Sequence, residues 1–512
     1  MQPLVSPASD TRFFGHPRGL AVLFAAEMWE RFSYYGMRTL LIFYLTQHFL
    51  FADEKAYLIY GAYTALVYVM PVIGGILADR YLGARKAVTF GALLLVIGHF
   101  GMAFEGPAAV ADGETVARHP VYLQIFYLSL AFIIAGVGFL KANISTLVGL
   151  LYEAGDTRRD GGFTIFYMGI NIGAFFAALL CGWLGQTYGW AYGFGVAGIG
   201  MLFGMLIFLR GQPLLAGRAD PPDAELLQER VFLGVDLERG IYLGGLAGVV
   251  ILWQLIQHQE LVGNLLFGFG GLMLLVVLVY SFTRCTPIER DRMLTAAALI
   301  LFSILFWALF EQAGSSLNLF ADRSIERNLF GWEVPASMFQ SLNALFIFLL
   351  APLFAWGWTR LAAHNREPST PVKFALAILQ VGLGFLVLVW GAGLAGEGKT
   401  AMLWLVLIYL LHTTGELCIS PVGLSMVTKL SVRRVVGMMM GVWFLAVAAA
   451  SYIAGQIAGF TGSAAPAETL DAAVATAQAV EVYTRVGWLA VAVAGILFLL
   501  APILRRGMHG VR

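Results

Sequence analysis

A helix must stay apolar for about 20 residues to cross a hydrocarbon core about 30 Å thick, and this chain contains roughly fourteen such runs. They cover residues 19–48, 57–78, 87–105, 120–150, 162–186, 191–210, 239–258, 262–283, 293–319, 335–360, 372–395, 400–428, 435–461 and 480–504. Of 512 residues, 59% are hydrophobic and 12% charged, where a soluble domain is about 25% charged. The fold class expected is an all-α polytopic membrane protein. A net charge of +1 gives no general attraction to nucleic acid.

Lysine and arginine in the connections set the orientation. With the N-terminus inside, the inner connections collect Arg80, Arg85, Lys86, Arg158, Arg159, Arg210, Arg284, Arg290, Arg292, Arg360, Arg433, Arg434, Arg505 and Arg506. The outer ones hold Lys55, Arg118, Arg323, Arg327, Lys399 and Arg485, so both termini are expected on the cytoplasmic side. Residues 1–18 lack the pattern of a cleavable signal, and the first spanning helix is expected to direct insertion. One long polar connection, 211–238, separates six helices from eight. The division expected is a six-helix bundle over 1–210, a cytoplasmic linker over 211–238, an extra helical pair over 239–283 and a second six-helix bundle over 284–512. Cys181, Cys285 and Cys418 are far apart and form no CxxC, so they read as small apolar side chains without disulfide or metal.

Seven charges interrupt the apolar runs: Glu27, Glu30, Arg31, Arg38, Lys141, Glu311 and Glu416. Each costs about 2.5–3.5 kcal/mol at a helix centre even on the mildest scale, so each should face a polar cavity and find a partner. In "EMWERFSYYG", residues 27–36, with Glu27 at zero, Glu30 falls at about −60°, Arg31 at about +40°, Tyr34 at about −20° and Arg38 at about +20°. They form one polar stripe, with Tyr35 at its border and Trp29 and Phe32 pointing elsewhere. In "LFWALFEQAGSSLNLF" the same spacing aligns Trp307, Glu311, Gly314 and Asn318. "GVGFLKANISTLVGLL" carries Lys141, and "LHTTGELCISPVGLSM" carries Glu416 one turn before Ser420 and Pro421, where a break or kink is expected. By scarcity of partners, Arg38 pairs with Glu311 and Lys141 with Glu416. Two such pairs linking the halves can act as gates, one opening as the other closes.

Tyr68, Asn171 in "FYMGINIGAFF", Asn343 in "FQSLNALFIF" and Trp443 in "GVWFLAV" also suit a polar cavity, although each alone is more often an interhelical hydrogen bond or a packing aromatic. "GFGVAG", residues 193–198, matches GxGxxG but lies inside a spanning segment and follows no strand, so it reads as packing glycine rather than a nucleotide site. "NIS" at Asn143 falls within a spanning segment. No Walker A sequence, metal-ligand cluster or nucleophile with a base is present, so neither cofactor nor catalytic residue is expected.

"GGILADRYLGARK", residues 74–86, resembles the loop between helices 2 and 3 of the major facilitator superfamily. "EMWERFSYYG" matches ExxERFxYYG of the proton-dependent oligopeptide transporter family, and "FYMGINIGA" and "GELCISPVGLSM" resemble two more of its signatures. The extra helical pair resembles bacterial members. The resemblance implies the major facilitator fold in a bacterial inner membrane, with a proton gradient driving uptake of di- and tripeptides. It implies that Glu27, Glu30 and Arg31 couple protons to substrate, a set to which we add Glu311, and that Arg31 and Lys141 meet the peptide carboxylate. It further implies that Asn171, Asn343 and Glu416 meet the amino end, that Tyr34, Tyr35, Tyr68, Trp307 and Trp443 shape the pocket, and that Arg38 with Glu311 forms an outer gate. Two departures bear on side-chain preference and proton number: Phe310 stands where some members carry an acid, and "WFLAVAAAS" lacks hydroxyls found in others. The short connection 396–399 leaves out the external domain of animal relatives.

The expectation is a proton-coupled peptide symporter working as a monomer in the lipid bilayer, with the extra pair taking no part in transport. A symporter of another small anion or amphoteric metabolite such as nitrate is the rival within transport. A sensor would need a signalling domain for which the chain has no room, and a membrane enzyme would need catalytic groups it lacks.

Overall fold

The computed structural model describes residues 10–112, 115–153, 155–215, 217, 219–232, 234–396, 398–462 and 472–511. Parts of three sequence readings, the stretch 1–18, the linker 211–238 and the connection 396–399, lie outside the described residues. The helices are α1 (Arg18–Phe43), α2 (Asp53–Leu77), α3 (Gly83–Met102), α4 (Pro120–Leu150), α5 (Arg159–Tyr188), α6 (Trp190–Gly211), α7 (Leu237–Leu255), α8 (Gln259–Arg284), α9 (Pro287–Phe310), α10 (Ser316–Ser324), α11 (Ser341–Ala363), α12 (Thr370–Ala395), α13 (Met402–Leu430), α14 (Val436–Thr461) and α15 (Ala472–Gly507). The 3-10 turn Glu311–Gly314 joins α9 to α10. Taken as one interrupted segment, they leave fourteen, in the positions the apolar runs predict. Eleven stretches among the described residues are long and apolar enough to cross a membrane, and one of them, Asp53–Met102, holds both α2 and α3. α1 falls outside that set because every window of its sequence includes at least three of its charged residues. α7 carries Glu238 and Arg239 in its first turn.

Local signals explain several boundaries. Thr286 and Glu289 form a capping box at the start of α9, with Pro287 in the first turn, so two otherwise unpaired N–H groups are satisfied reciprocally. Asp236 caps α7 by accepting from the Arg239 backbone N–H at 2.8 Å. The break expected at Pro421 is absent, since α13 remains helical through it; a transmembrane helix tolerates proline where neighbours supply alternative partners.

The contacts divide the chain into two compact units: residues 1–44 with 66–258, and residues 45–65 with 259–512. In the first, α1 packs on α5 and α6, and α3 on α4. Small residues make this possible. A Cβ on Gly74 would stand 2.0 Å from the Gly138 carbonyl oxygen, and one on Gly91 would stand 2.7 Å from that of Gly136. α7 belongs to this unit, with Gly245 against the Phe90 ring and Gln257 accepting from Gln124 at 3.0 Å.

The connection 78–86 is held to the linker in the same unit. Arg85 Nε donates to Asp220 at 2.6 Å and its Nη1 to Gln212 at 3.2 Å, while its backbone N–H donates to the Ala219 carbonyl at 3.0 Å. Lys86 pairs with Glu238. Gly83 has φ 73° beside the Asp220 backbone, a conformation and a closeness that a side chain would oppose. On the N-terminal strap, burial alone would raise the Asp10 carboxyl, but hydrogen bonds from Arg12 and Arg18 outweigh it and hold the pKa at about 2.

In the second unit α12 lies against α13 and α15, and α9 against α14. Gly61 at the beginning of α2 meets Gly455 of α14, where a Cβ would come within 3.0 Å of the opposing Cα. α8 belongs here, with Gly263 against the Tyr452 ring. Arg323 of α10 grips Asp53 with both terminal nitrogens, at 2.6 and 2.9 Å. Asp53 is only 2% exposed, so this planar two-bond pairing is worth more than an exposed ion pair. The Asp53→Asn protein should lose on the order of 3 kcal/mol, read as a fall in unfolding temperature in detergent. Arg485→Gln, which removes the exposed pair to Glu481, should leave that temperature nearly unchanged.

Candidate functional site

The stripe predicted on α1 is present, and the structure buries it: Glu27, Glu30, Arg31, Tyr34 and Arg38 are all at most 9% exposed. Arg31 holds both carboxylates, through its Nε to Glu27 Oε1 at 3.1 Å and to Glu30 Oε2. Its guanidinium also lies 5.4 Å from the centre of the Tyr34 ring, and Tyr34 meets Tyr35 edge to face at 5.2 Å. Arg31 Nη2, Glu27 Oε2 and Glu30 Oε1 have no hydrogen-bond partner among the described residues. A buried donor left over on a cation is costly and is well placed to take an anion. As expected, Trp29 and Phe32 point away, packing with each other at 5.4 Å and onto α6 at Gly204 and Gly200.

Lys141 on α4 lies 4.5 Å over the Tyr68 ring, and its ammonium is within electrostatic reach of Arg31, Glu30, Glu27 and Arg38. The first unit thus gathers three cations and two carboxylates around α1. Asn171 on α5 is buried and donates to the Tyr167 carbonyl at 3.0 Å.

What seats α1 is a row of small residues on α5. Gly169 meets Phe24, Gly173 meets the Met28 carbonyl oxygen, Cys181 meets Gly36 and Gly185 meets Leu40. The spacing of about four residues keeps this row on one face of α5. Sequence reasoning used "FYMGINIGA" as a signature and missed that its glycines form the bed for the charged stripe, although their spacing was there to be read. Cys181 is a packing side chain in this row, in keeping with its reading as a small apolar residue.

In the second unit Glu416 on α13 accepts from Asn343 Nδ2 of α11 at 2.9 Å, and the same amide donates to Thr413 at 3.1 Å. Two residues that the resemblance places in one set are therefore bonded directly, and Thr413 is an addition to them. Glu311 is buried and lies within electrostatic reach of Glu416. Trp443 of α14 is 4% exposed and lies over Gly423 of α13, whose missing side chain leaves room for the ring. This accounts for the second glycine in "GELCISPVGLSM".

The alignment of Trp307, Glu311, Gly314 and Asn318 needs correction. It assumes a continuous α-helix, but the chain tightens to a 3-10 turn at Glu311 and Ser315 takes φ −124°, ψ −101°, so 100° per residue no longer applies beyond Phe310. Trp307 stays on α9, against Phe306 and Phe310, with no partner for its indole N–H among the described residues.

Several buried polar side chains went unremarked in the sequence, among them His412, His99 and Lys373. His412, one turn before Glu416, donates from Nε2 to the Val381 carbonyl at 3.2 Å and meets Phe385 edge to face at 5.0 Å. His99 on α3 is buried with neither ring nitrogen partnered among the described residues. Lys373 in the first turn of α12 pairs with Glu367 at 2.5 Å. The pattern of spans hid them, because a single histidine or lysine barely changes the hydropathy of a 20-residue run.

Residues 85–471 match the family described as the POT family. The chain is similar to the peptide transporter YePEPT of Yersinia enterocolitica, with 38% identity over 479 residues, 90% of this chain and 91% of that protein. It is 33% identical over 494 residues to dipeptide and tripeptide permease A of Serratia proteamaculans, covering 96% and 92% of the two chains. The crystal structure of peptide transporter POT in complex with sulfate aligns with a TM-score of 0.81 at 35% identity, over 99% of both chains.

The bed under α1 gives a direct test. A Cβ on Gly173 would stand 2.2 Å from the Met28 carbonyl oxygen, so Gly173→Ala should sharply reduce the yield of monodisperse protein in detergent. Gly195→Ala, with nothing within 4 Å of the added Cβ, should behave as the parent.

Proposed function

The chain belongs to the POT family of transporters, and from that premise we propose that it is a proton-coupled symporter that imports di- and tripeptides by alternating access. It is a multi-pass membrane transporter, not an enzyme, and it has the major facilitator fold of two six-helix bundles with two extra helices. In this reading it acts as a monomer in the bacterial inner membrane, with both termini cytoplasmic. The division into 1–210, 211–238, 239–283 and 284–512 is part of the proposal.

The observation that carries it is the buried Glu27–Arg31–Glu30 cluster, with a guanidinium N–H and two carboxylate oxygens unused. A proton taken up by either glutamate weakens its hold on Arg31, and the freed donor meets an incoming carboxylate. Loading of peptide and proton are then favoured together, as symport requires. Arg31 and Lys141 take the peptide carboxylate, and Asn171, Asn343 and Glu416 take the amino end. Tyr34, Tyr35, Tyr68, Trp307 and Trp443 give the side chains their room, and Glu311 belongs to the proton-coupling set. The pairs Arg38 with Glu311 and Lys141 with Glu416 act as gates. A zwitterion of fixed backbone and varied side chains calls for this combination of few charged anchors and broad aromatic walls. No observation favours a small inorganic anion, which would leave the Asn343–Glu416 constellation without a cation to recognise.

Two measurements test the reading. In liposomes with an imposed inward proton gradient, the parent should concentrate labelled dialanine, and Glu30→Gln should lose concentrative uptake while keeping counterflow exchange. Normal accumulation by Glu30→Gln would remove the coupling role. In competition assays, Glu416→Gln should weaken dialanine by about tenfold, the loss of roughly one charge-assisted bond. It should discriminate far less than the parent between dialanine and N-acetyl-dialanine; unchanged discrimination would take the amino end away from Glu416.

A further inference from the structure

Where α15 ends and α12 begins, the second unit carries a groove of about 490 Å³. Val372, Phe498, Ala501 and Pro502 form apolar walls, and Ser369, Arg505 and Arg506 form the polar part of the lining. A smaller cavity of about 140 Å³ shares Ser369 and Arg505 and reaches Lys373, whose charge is already taken by Glu367. Arg505 and Arg506 are exposed, and neither is paired with a carboxylate among the described residues. Ser369 occupies the N-cap of α12 without making a side-chain cap bond; Pro371 has no N–H and that of Lys373 donates to the Ser369 carbonyl at 3.0 Å, so the Ser369 hydroxyl and the N–H groups of Thr370 and Val372 remain open to an anion. The outward side of α15 beside the groove is strongly apolar, with Leu499 80% and Ile503 63% exposed.

Two arginines in the last turn of a helix have an ordinary explanation, since they favour its negative end and keep it on the cytoplasmic side. Neither effect calls for an apolar groove beneath them or for an uncapped helix start opposite. The order of chemistry across the groove, two cations and a hydroxyl above a hydrocarbon wall, is that of a phospholipid read in complement. The groove presents no unpaired carboxylate to a cationic headgroup, because Glu367 is held by Lys373. We propose that this groove binds an anionic phospholipid of the cytoplasmic leaflet, its phosphate on Arg505, Arg506 and Ser369 and an acyl chain along Val372, Phe498 and Pro502. The leaflet rests on the orientation proposed above, whereas lipid retention in detergent is read independently of orientation and of transport.

The test uses the purified full chain in detergent, titrated with phosphatidylglycerol or phosphatidylcholine. Retained lipid is counted by native mass spectrometry and stabilisation is read as a shift in unfolding temperature. One phosphatidylglycerol should be retained in preference to phosphatidylcholine and should raise the unfolding temperature. Arg505→Gln with Arg506→Gln should weaken retention by about tenfold or more, while the paired change to lysine keeps most of it and Arg433→Gln leaves it unchanged. Val372→Trp, which fills the apolar part and keeps both charges, should weaken it as well. Equal retention of phosphatidylcholine, undiminished retention by the double glutamine protein, or displacement of the lipid by millimolar inorganic phosphate would each overturn the proposal, the last in favour of a simple anion site.

Discussion

Arg31 holds two carboxylates while it is itself only 4% exposed. Separating charge from water costs several kcal/mol per ion, and close opposite charges offset this only when geometry is good and remaining polar atoms are satisfied. The cluster meets the first condition, with Glu27 at 3.1 Å, and leaves the second incomplete. The rest of the first unit follows from holding this arrangement in place. α1 must be straight enough to keep the stripe on one face, and α5 must come close enough to exclude lipid from it. The row of small residues on α5 provides that closeness, and Trp29 and Phe32 fasten the opposite side to α6.

Charge is divided unequally between the units. Around α1 the cations Arg31, Arg38 and Lys141 outnumber the carboxylates, whereas the second unit contributes Glu311 and Glu416. Asn343 bonds both Glu416 and Thr413, which orients the carboxylate without neutralising it. Such a group remains able to receive a cation, while a carboxylate already held by arginine responds chiefly to protons and competing anions. The same element of protein chemistry, a buried glutamate, thus acquires two characters from its neighbours.

Outside the spanning segments, stability comes from ties between distant stretches of chain. The 78–86 connection and the linker share ion pairs and a backbone bond, and Arg323 fastens α10 to the first turn of α2. In the sequence Arg323 counted only as a topology signal, and Arg85 as that and as part of the 74–86 loop motif. Their partners, Asp220 and Asp53, lie 135 and 270 residues away, beyond the reach of any local pattern. The turn at Glu311 has a similar status: glycine and serines follow it, but whether they bend the chain depends on what packs against α9.

The order and positions of the long helices, the amphipathic stripe on α1 and the family signatures were legible in the residues themselves, because apolar length and helical periodicity are local properties that a membrane enforces strictly. Partnership was not. That one amide of Asn343 bonds both Glu416 and Thr413, that glycines of α5 seat the charges of α1, and that the helix tightens at Glu311 emerge only when helices far apart in sequence are packed. Burial and hydrogen bonding depend on neighbours in space, and a periodic apolar sequence is compatible with many choices of neighbour.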